Sequence, residues 1–375
     1  MPVTELRIKG YRSIRELTLP LKRANIVVGA NGCGKSNLYQ AIGLLRAAAS
    51  GRLARALLDE GGLPSAFWAG QGKGPQRIEV GVDVDAYRYN LVIGKPPPDP
   101  SNPTAFKNEP RVVSETIDLI QGSKKIMVLD RNVNSCKIRK VDGTIDTFTL
   151  RLSSAESVFD QILDPENYPA LDQLRRIILK WRFYHEFRVD RTSPVRAAQP
   201  GVRTWVLAGD GSDLAAAIQT IFENGDGDTL MQAFGDAFPG SALLVTGGDA
   251  AFRISVSFPG VFRPMEGVEL SDGTLRYLCL LGALLSPTPA PLLVLNEPEN
   301  SLHESLYLPL ARLLHKAMDL SQLWVTTHSQ VLAAELGSLA GVQPIGLEKI
   351  DGETLRAGRP RTSAYHYQWD DPSDE

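Results

Sequence analysis

The sequence predicts an α/β fold: a core sheet carrying a phosphate-binding loop, an antiparallel β subdomain at its N-terminal end, and a compact mixed α/β insert with a helical lid. Three observations predict it. An apolar strand, a glycine-rich loop and a helix opening follow one another over residues 24–45. Two further apolar runs, 291–295 and 323–327, each stop at residues able to do chemistry. The stretches flanking the loop alternate apolar and polar, as half-exposed strands do. The expected division is 1–93 for the N-terminal half of the core, 94–260 for the insert and 261–375 for the C-terminal half.

The loop, Gly29-Ala30-Asn31-Gly32-Cys33-Gly34-Lys35-Ser36, fully matches the pattern G-x-x-x-x-G-K-[ST], and Asn37 begins the helical spacing that follows. Small residues let successive N–H groups turn inward on phosphates, the helix terminus adds partial positive charge, and Lys35 reaches the outer phosphates. The Ser36 hydroxyl suits a magnesium ion.

Ahead of the loop, residues 5–20 read as two strands joined by a bend at Gly10-Tyr11. Behind it, 53–63 reads as a helix and 76–93 as a strand pair. Residues 94–110 carry six prolines and read as an exposed loop. Short strand-like pieces fill 111–150. Ser153-Ser154-Ala155-Glu156 has the form of a capping box ahead of a helix, and a second helical pattern ends near Trp181. The interval 175–203 holds Arg175, Arg176, Lys180, Arg182, Arg188, Arg191, Arg196 and Arg203 against Glu186 and Asp190. Either this is a solvated helix face plus loop, or it is a contact surface for a phosphate backbone, interleaved with Trp181, Phe183, Tyr184 and Phe187. Helices over 213–222 and 228–238 and a strand pair over 243–258 complete the insert, and an acidic tail occupies 370–375.

Composition narrows the classes. A chain of 375 residues with 43% hydrophobic content can bury a large core. Its net charge of −3 gives no whole-molecule attraction for nucleic acid, so any such surface must be local. Cys33, Cys136 and Cys279 are scattered without a C-x-x-C pair, which argues for a reducing compartment and against structural zinc. No secretion signal is visible, and the longest apolar run is too short to span a bilayer. A cytoplasmic protein without membrane contact is expected.

Two distant motifs complete a candidate site. Leu270-Ser271-Asp272-Gly273-Thr274 opens a helix, where Ser and Gly form either an ordinary N-cap or a second anion-binding terminus. The run 291–295 ends at Asn296-Glu297-Pro298-Glu299, where a carboxylate at a strand tip can orient water for attack on a terminal phosphate. Pro298 keeps Glu297 out of helical geometry. The run 323–327 ends at His328, whose imidazole is either structural or a phosphate contact.

Phosphate loop, signature 270–274, strand-end acid, the loop Ser301-Leu302-His303 and the strand-end His328 occur in the order of the ABC-type ATPase superfamily. The chain resembles its soluble branch with RecF, the SMC proteins and the OLD-type ATPases. Within that branch it is similar to short stand-alone AAA-family ATPases with L-N-E-P-E instead of L-D-E-P-E. The resemblance covers 3–45 and 267–335, and more loosely 181–185 and 210–214.

By that resemblance the fold is an ABC-ATPase head with ATP and Mg2+ as cofactors. The nucleotide would sit between two copies, a homodimer with Lys35 and Ser36 of one facing Ser271 and Gly273 of the other. Glu297 would be the general base and His328 the γ-phosphate sensor. Arg12 and Ser13 would approach the nucleoside. Ser36 and Asn296 would face the metal, joined by a glutamine for which Gln71 is favoured over Gln76.

Two departures from that pattern matter. Asn296 replaces an Asp, and an amide cannot neutralise charge or take a proton, which implies slow hydrolysis. No long heptads separate residues 37 and 270, so an SMC-like bridging arm is excluded. The stretch after His328 is too short for a fused nuclease, which implies a separate nuclease or effector. The expected function is an ATP-dependent dimeric switch in DNA-linked processes or anti-phage defence, with DNA contact through Arg175, Arg176, Lys180 and Arg182. Its competitors are a protein scaffold or sensor without nucleic-acid contact and a transporter ATPase subunit.

Overall fold

A computed structural model describes residues 2–71, 74–95, 105–106, 108–149, 152–248 and 250–358. Most of the proline-rich stretch and the acidic tail 370–375 lie outside the described residues.

The central sheet runs, in spatial order, Arg182–Tyr184, Leu292–Asn296, Gln322–Thr327, Ala24–Val28 and Ile345–Ile350, all parallel. Glu353–Arg356 closes it antiparallel. Its inner strands are apolar on both faces because both are covered. Val27, Leu292, Val294 and Trp324 join the core shared with the phosphate-loop helix Lys35–Ala49. Ile26, Leu293, Leu295, Leu323 and Val325 face the other way, into a core with the helices Asp272–Leu284, Tyr307–Ala317 and Gln330–Ala340.

An antiparallel sheet covers the first of these cores. Its order is Ile14–Pro20, Val3–Tyr11, Ile78–Val84, Tyr87–Gly94, Arg111–Gln121, Lys124–Asn132, Ser135–Arg139 and Ile145–Thr149. Gln322 ties the two sheets: its Oε1 accepts from Val3 N at 2.7 Å and its Nε2 donates to Val3 O at 2.7 Å. A small third sheet pairs Ala251–Ser257 with Ala242–Gly248, Gln199–Pro200 and Met265–Glu266.

Several sequence expectations shift. The antiparallel sheet runs through the boundary expected at residue 93, since Tyr87–Gly94 pairs directly with Arg111–Gln121. Arg182–Tyr184 is an edge strand of the core sheet rather than part of an insert. The first bend falls at Arg12–Ser13, because Gly10 takes its positive φ of 71° within the strand. The helix expected over 53–63 is two, Leu53–Asp59 and Leu63–Ala66, broken where Gly61 and Gly62 have φ of 95° and 79°.

Ser153 caps nothing. Ser157 caps the four-residue helix Val158–Gln161 instead, held there because its hydroxyl and Val158 N both donate to the buried carboxylate of Glu115. Among the described residues, no helix is long and apolar enough to cross a membrane.

Candidate functional site

The carboxyl ends of four adjacent parallel strands bring the predicted residues together. Tyr184 pairs with Leu295, Asn296 with Thr326, and Thr327 with Val28. His185, Glu297, His328 and Gly29 therefore emerge side by side. Glu297 stands two strands from the loop, roughly 10 Å across the sheet. In open α/β sheets this edge is where ligands bind.

The phosphate loop is shaped for an anion. Gly32 and Gly34 have φ of 78° and 107°, conformations that side chains resist. No side chain caps the helix at Gly34, and no acidic residue lies in its first turn. Its leading N–H groups are thus left for an outside acceptor. Lys35 is buried, its Nζ donating to Gly29 O at 2.7 Å and Ala30 O at 3.3 Å. Asn31 and Ser36 are exposed at the mouth, while Cys33 is buried beneath the loop.

The back of this loop is held by Thr354, which the sequence reading missed, together with Ser13 and Asn37. Thr354, fully buried on the last strand, donates from Oγ1 to Cys33 O at 2.8 Å and lies 2.7 Å from Ser13 Oγ. Its N–H bonds Ser13 O at 2.7 Å, and Asn37 Nδ2 donates to Ser13 Oγ at 2.6 Å. A Cβ on Gly34 would come within 2.1 Å of Thr354 Oγ1. The only sequence signal was Asp351-Gly352 between alternating residues, a hairpin turn in which both have positive φ. Arg12 lies at the bend with φ 51°, its guanidinium turned to Glu60 at 3.1 Å. Gln71 is exposed on a bend whose neighbour Gly70 lies 3.5 Å from where a Cβ on Gly352 would stand. No hydrogen bond among the described residues joins Gln71 to Ser36 or Asn296.

Glu297 is set by its backbone. Pro298 keeps it from the right-handed helix, and it adopts φ 48°, left-handed rather than extended. Its N–H donates to Thr326 O at 2.8 Å, and Asn300 Nδ2 donates to its Oε2 at 2.9 Å. His328 Nδ1 stands 4.0 Å from Glu297 Oε1 and 3.4 Å from Glu299 Oε1. Glu299 is a second missed residue: fully buried, it accepts from Thr327 Oγ1, from His328 N at 3.1 Å and from Ser329 N at 3.3 Å. It fixes the turn that presents His328.

Asn296 is buried, with Oδ1 accepting from Thr326 Oγ1 at 2.7 Å and Nδ2 at 2.9 Å from His185 Nδ1. The second lone pair of Oδ1 remains for a metal-bound water. With His185, Glu186, Arg276, Glu297, Asn300 and Ser301 it lines a polar cleft of about 270 Å³. Arg276 is buried there, and its surroundings hold its pKa below the usual arginine range, burial being the main cause.

Ser271 caps the helix Asp272–Leu284, its Oγ accepting from Thr274 N at 3.1 Å, and it is exposed. Gly273 is needed because a Cβ there would meet Ser301 O at 3.0 Å. Arg196 braces the segment from behind: it donates to Leu270 O at 2.7 Å and to Val189 O at 2.9 Å, and pairs with Asp272. The basic interval is thereby partly spent on structure. Arg176 pairs with Asp172 at 2.5 Å, Arg203 with Glu223 at 3.1 Å and Arg188 with Asp190 at 3.4 Å. Trp181, Tyr184 and Phe187 are core residues and offer no stacking faces. All three cysteines are free and buried, and no metal cluster of His, Cys, Asp or Glu occurs among the described residues.

The two ends of the chain match ATPase families. Residues 1–66 match a family described as "AAA ATPase domain", and residues 260–334 one described as "AAA domain, putative AbiEii toxin, Type IV TA system". Among solved structures, the chain is similar to an Smc head bound to the C-winged helix domain of ScpA. That match has 16% identity and TM-score 0.54, covering 95% of this chain and 97% of that one. It is also similar to the Smc head with an extended coiled coil derived from Pyrococcus furiosus, bound to the C-terminal domain of ScpA. There the identity is 15% and the TM-score 0.52, with 95% of each chain covered. No curated protein sequence matches at the significance required. The chain thus has the fold of these head domains, and its two ends match ATPase family models. Both family matches fall on the segments that carry the phosphate loop and the strand-end acid.

Proposed function

We propose that the chain is an ATP-binding dimeric switch that hydrolyses slowly, acting in the cytoplasm in DNA-linked processes or anti-phage defence. A separate nuclease or other effector would do the chemistry on nucleic acid. One observation carries this reading. The phosphate loop and Glu297 share one sheet edge, while Ser271, itself exposed, caps the N-terminus of a buried helix, the position a second copy reaches in this reading.

In this reading Lys35 and the loop N–H groups hold the phosphates, and Arg12 and Ser13 lie toward the nucleoside. Ser36, Asn296 and Gln71 face the magnesium ion, which when bound neutralises phosphate charge. Glu297 takes the proton of the attacking water while His328, steadied by Glu299, contacts the terminal phosphate. Asn296 supplies no negative charge, which keeps turnover slow. The segment 94–260 contributes covering layers and Arg196, which ties the loop at Val189 to the segment 267–272. The structural neighbours are heads solved with a bound protein domain, which suits an effector that docks as a protein.

The decisive experiment is sizing of Glu297→Gln with ATP and magnesium. A shift from monomer to dimer is expected, and no shift at saturating ATP overturns the shared site. Asn296→Asp should raise turnover, measured as phosphate release, and an unchanged or lower rate counts against the explanation for slow hydrolysis.

A scaffold or sensor that never touches nucleic acid is the second reading. It is favoured by the burial of Trp181, Tyr184 and Phe187 in the basic interval. Salt-dependent DNA binding lost on changing Arg175, Arg176 and Arg182 to Glu would reject it.

A further inference from the structure

A second cavity, of about 340 Å³, is lined by the phosphate-loop helix and the segment after it, and its Tyr39 packs on His185 with ring centroids 5.6 Å apart. Tyr39, Gln40, Gly43, Arg46, Arg52 and Phe183 are among its lining residues. Two polar atoms are buried without partners among the described residues, Gln40 Oε1 and Arg46 Nε. The Arg46 guanidinium lies over the Phe183 ring, 5.9 Å from its centroid. Both carboxylates at the rim are taken: Asp59 pairs with Arg55 at 2.9 Å, and Glu60 with Arg12 at 3.1 Å. Arg46 and Arg52 enter no ion pair among the described residues, and the nearby Arg182 donates only to Leu179 O and Trp181 O, at 3.0 and 3.1 Å. Burial first, and then the neighbouring charges of Arg182 and Arg52, push the Arg46 pKa down.

We propose that this cavity is a second binding site, for a small phosphate-bearing molecule of nucleoside monophosphate type. Each part of such a molecule meets a matching group. The guanidinium forks of Arg46 and Arg52 suit phosphate oxygens. Tyr39 and Phe183 form an aromatic wall for a flat ring. The volume lies at the lower end of the range for small-ligand pockets. The site goes beyond the ATPase reading, and it shares a helix with that site, since Lys35 and Arg46 lie at opposite ends of Lys35–Ala49.

The test is calorimetric titration of the full chain carrying Lys35→Ala, which silences the phosphate loop, with AMP and separately with pyrophosphate. Saturable binding of AMP is expected, weakened at least tenfold by Arg52→Gln and by Arg46→Gln, with melting temperature measured alongside. Arg52 is exposed, so its variant keeps the test readable if Arg46→Gln unfolds. Pyrophosphate binding with the same arginine dependence but no AMP binding would replace the nucleoside assignment by a phosphate-only site. No binding of either probe at millimolar concentration, or binding indifferent to both arginines, overturns the proposal. So does an oligonucleotide that binds through these arginines when neither small probe does, since that makes the cavity part of a nucleic-acid groove. A failed Glu297→Gln dimer test leaves these outcomes unchanged, so the two readings fail separately.

Discussion

The phosphate loop and the segment 270–274 both lead into a helix N-terminus, and the chain treats them in opposite ways: no side chain caps the first, and Ser271 caps the second. At the loop, Thr354, Ser13 and Asn37 form a buried hydrogen-bonded brace around the Cys33 carbonyl, and Lys35 is folded into the cradle. At the segment 270–274, Arg196 holds the backbone from behind and the Ser271 hydroxyl is engaged by Thr274, while the residue itself is exposed. One cradle is complete within the chain. The other is braced from behind and presented to whatever arrives in front. A site split in this way gives its two halves different mutational signatures.

The sharpest contrast comes from Lys35→Ala. Loss of a charge-assisted contact should weaken nucleotide binding by about 10- to 100-fold, an estimate from the strength of ionic hydrogen bonds. Fluorescent-nucleotide titration measures it, and unchanged affinity would break the assignment of the cradle.

Thr354→Val comes next. It removes the donor to Cys33 O and leaves a buried carbonyl unpaired, at a cost of about 1–3 kcal/mol. A lower melting temperature together with weaker nucleotide binding is expected. Lowered stability with unaltered binding would show that the brace serves folding alone.

Ser271→Ala should matter least for the single chain, about 1 kcal/mol for the lost helix cap. Nucleotide affinity of the monomer should stay within about twofold while ATP-driven pairing disappears, since the capping hydroxyl belongs to the residue a second copy reaches in this reading. Pairing that survives this change in the Glu297→Gln background would erase the distinction between the two cradles.

Legibility followed the reach of the interactions. The loop, the apolar strands and the acid at a strand tip are written in consecutive residues, because a strand, a turn and a helix start are local choices. Glu299 lay in plain view beside Glu297 yet had no readable role, since its partners Thr327, His328 and Ser329 come from the next strand. His185 had no role of its own in the sequence until the pairing of Arg182–Tyr184 with Leu293–Leu295 put it beside Asn296, 111 residues away. Arg196 was counted as a surface charge, but it is a brace for a loop 74 residues on. The basic interval misled for a related reason: Trp181, Tyr184 and Phe187 have the composition of a stacking surface and the burial of a core.

What the sequence determined by itself was the chemistry of the loop and the kind of sheet that carries it, because G-x-x-x-x-G-K-S between an apolar strand and a helix start has one physical use. Only the tertiary structure decided how that loop is held. The brace joins Thr354 to Cys33 across 321 residues, through a hairpin laid down at the far side of the sheet. Hydrogen bonds of that reach depend on strand order, and strand order is set by how two cores pack on the faces of one sheet, which no local pattern of residues records.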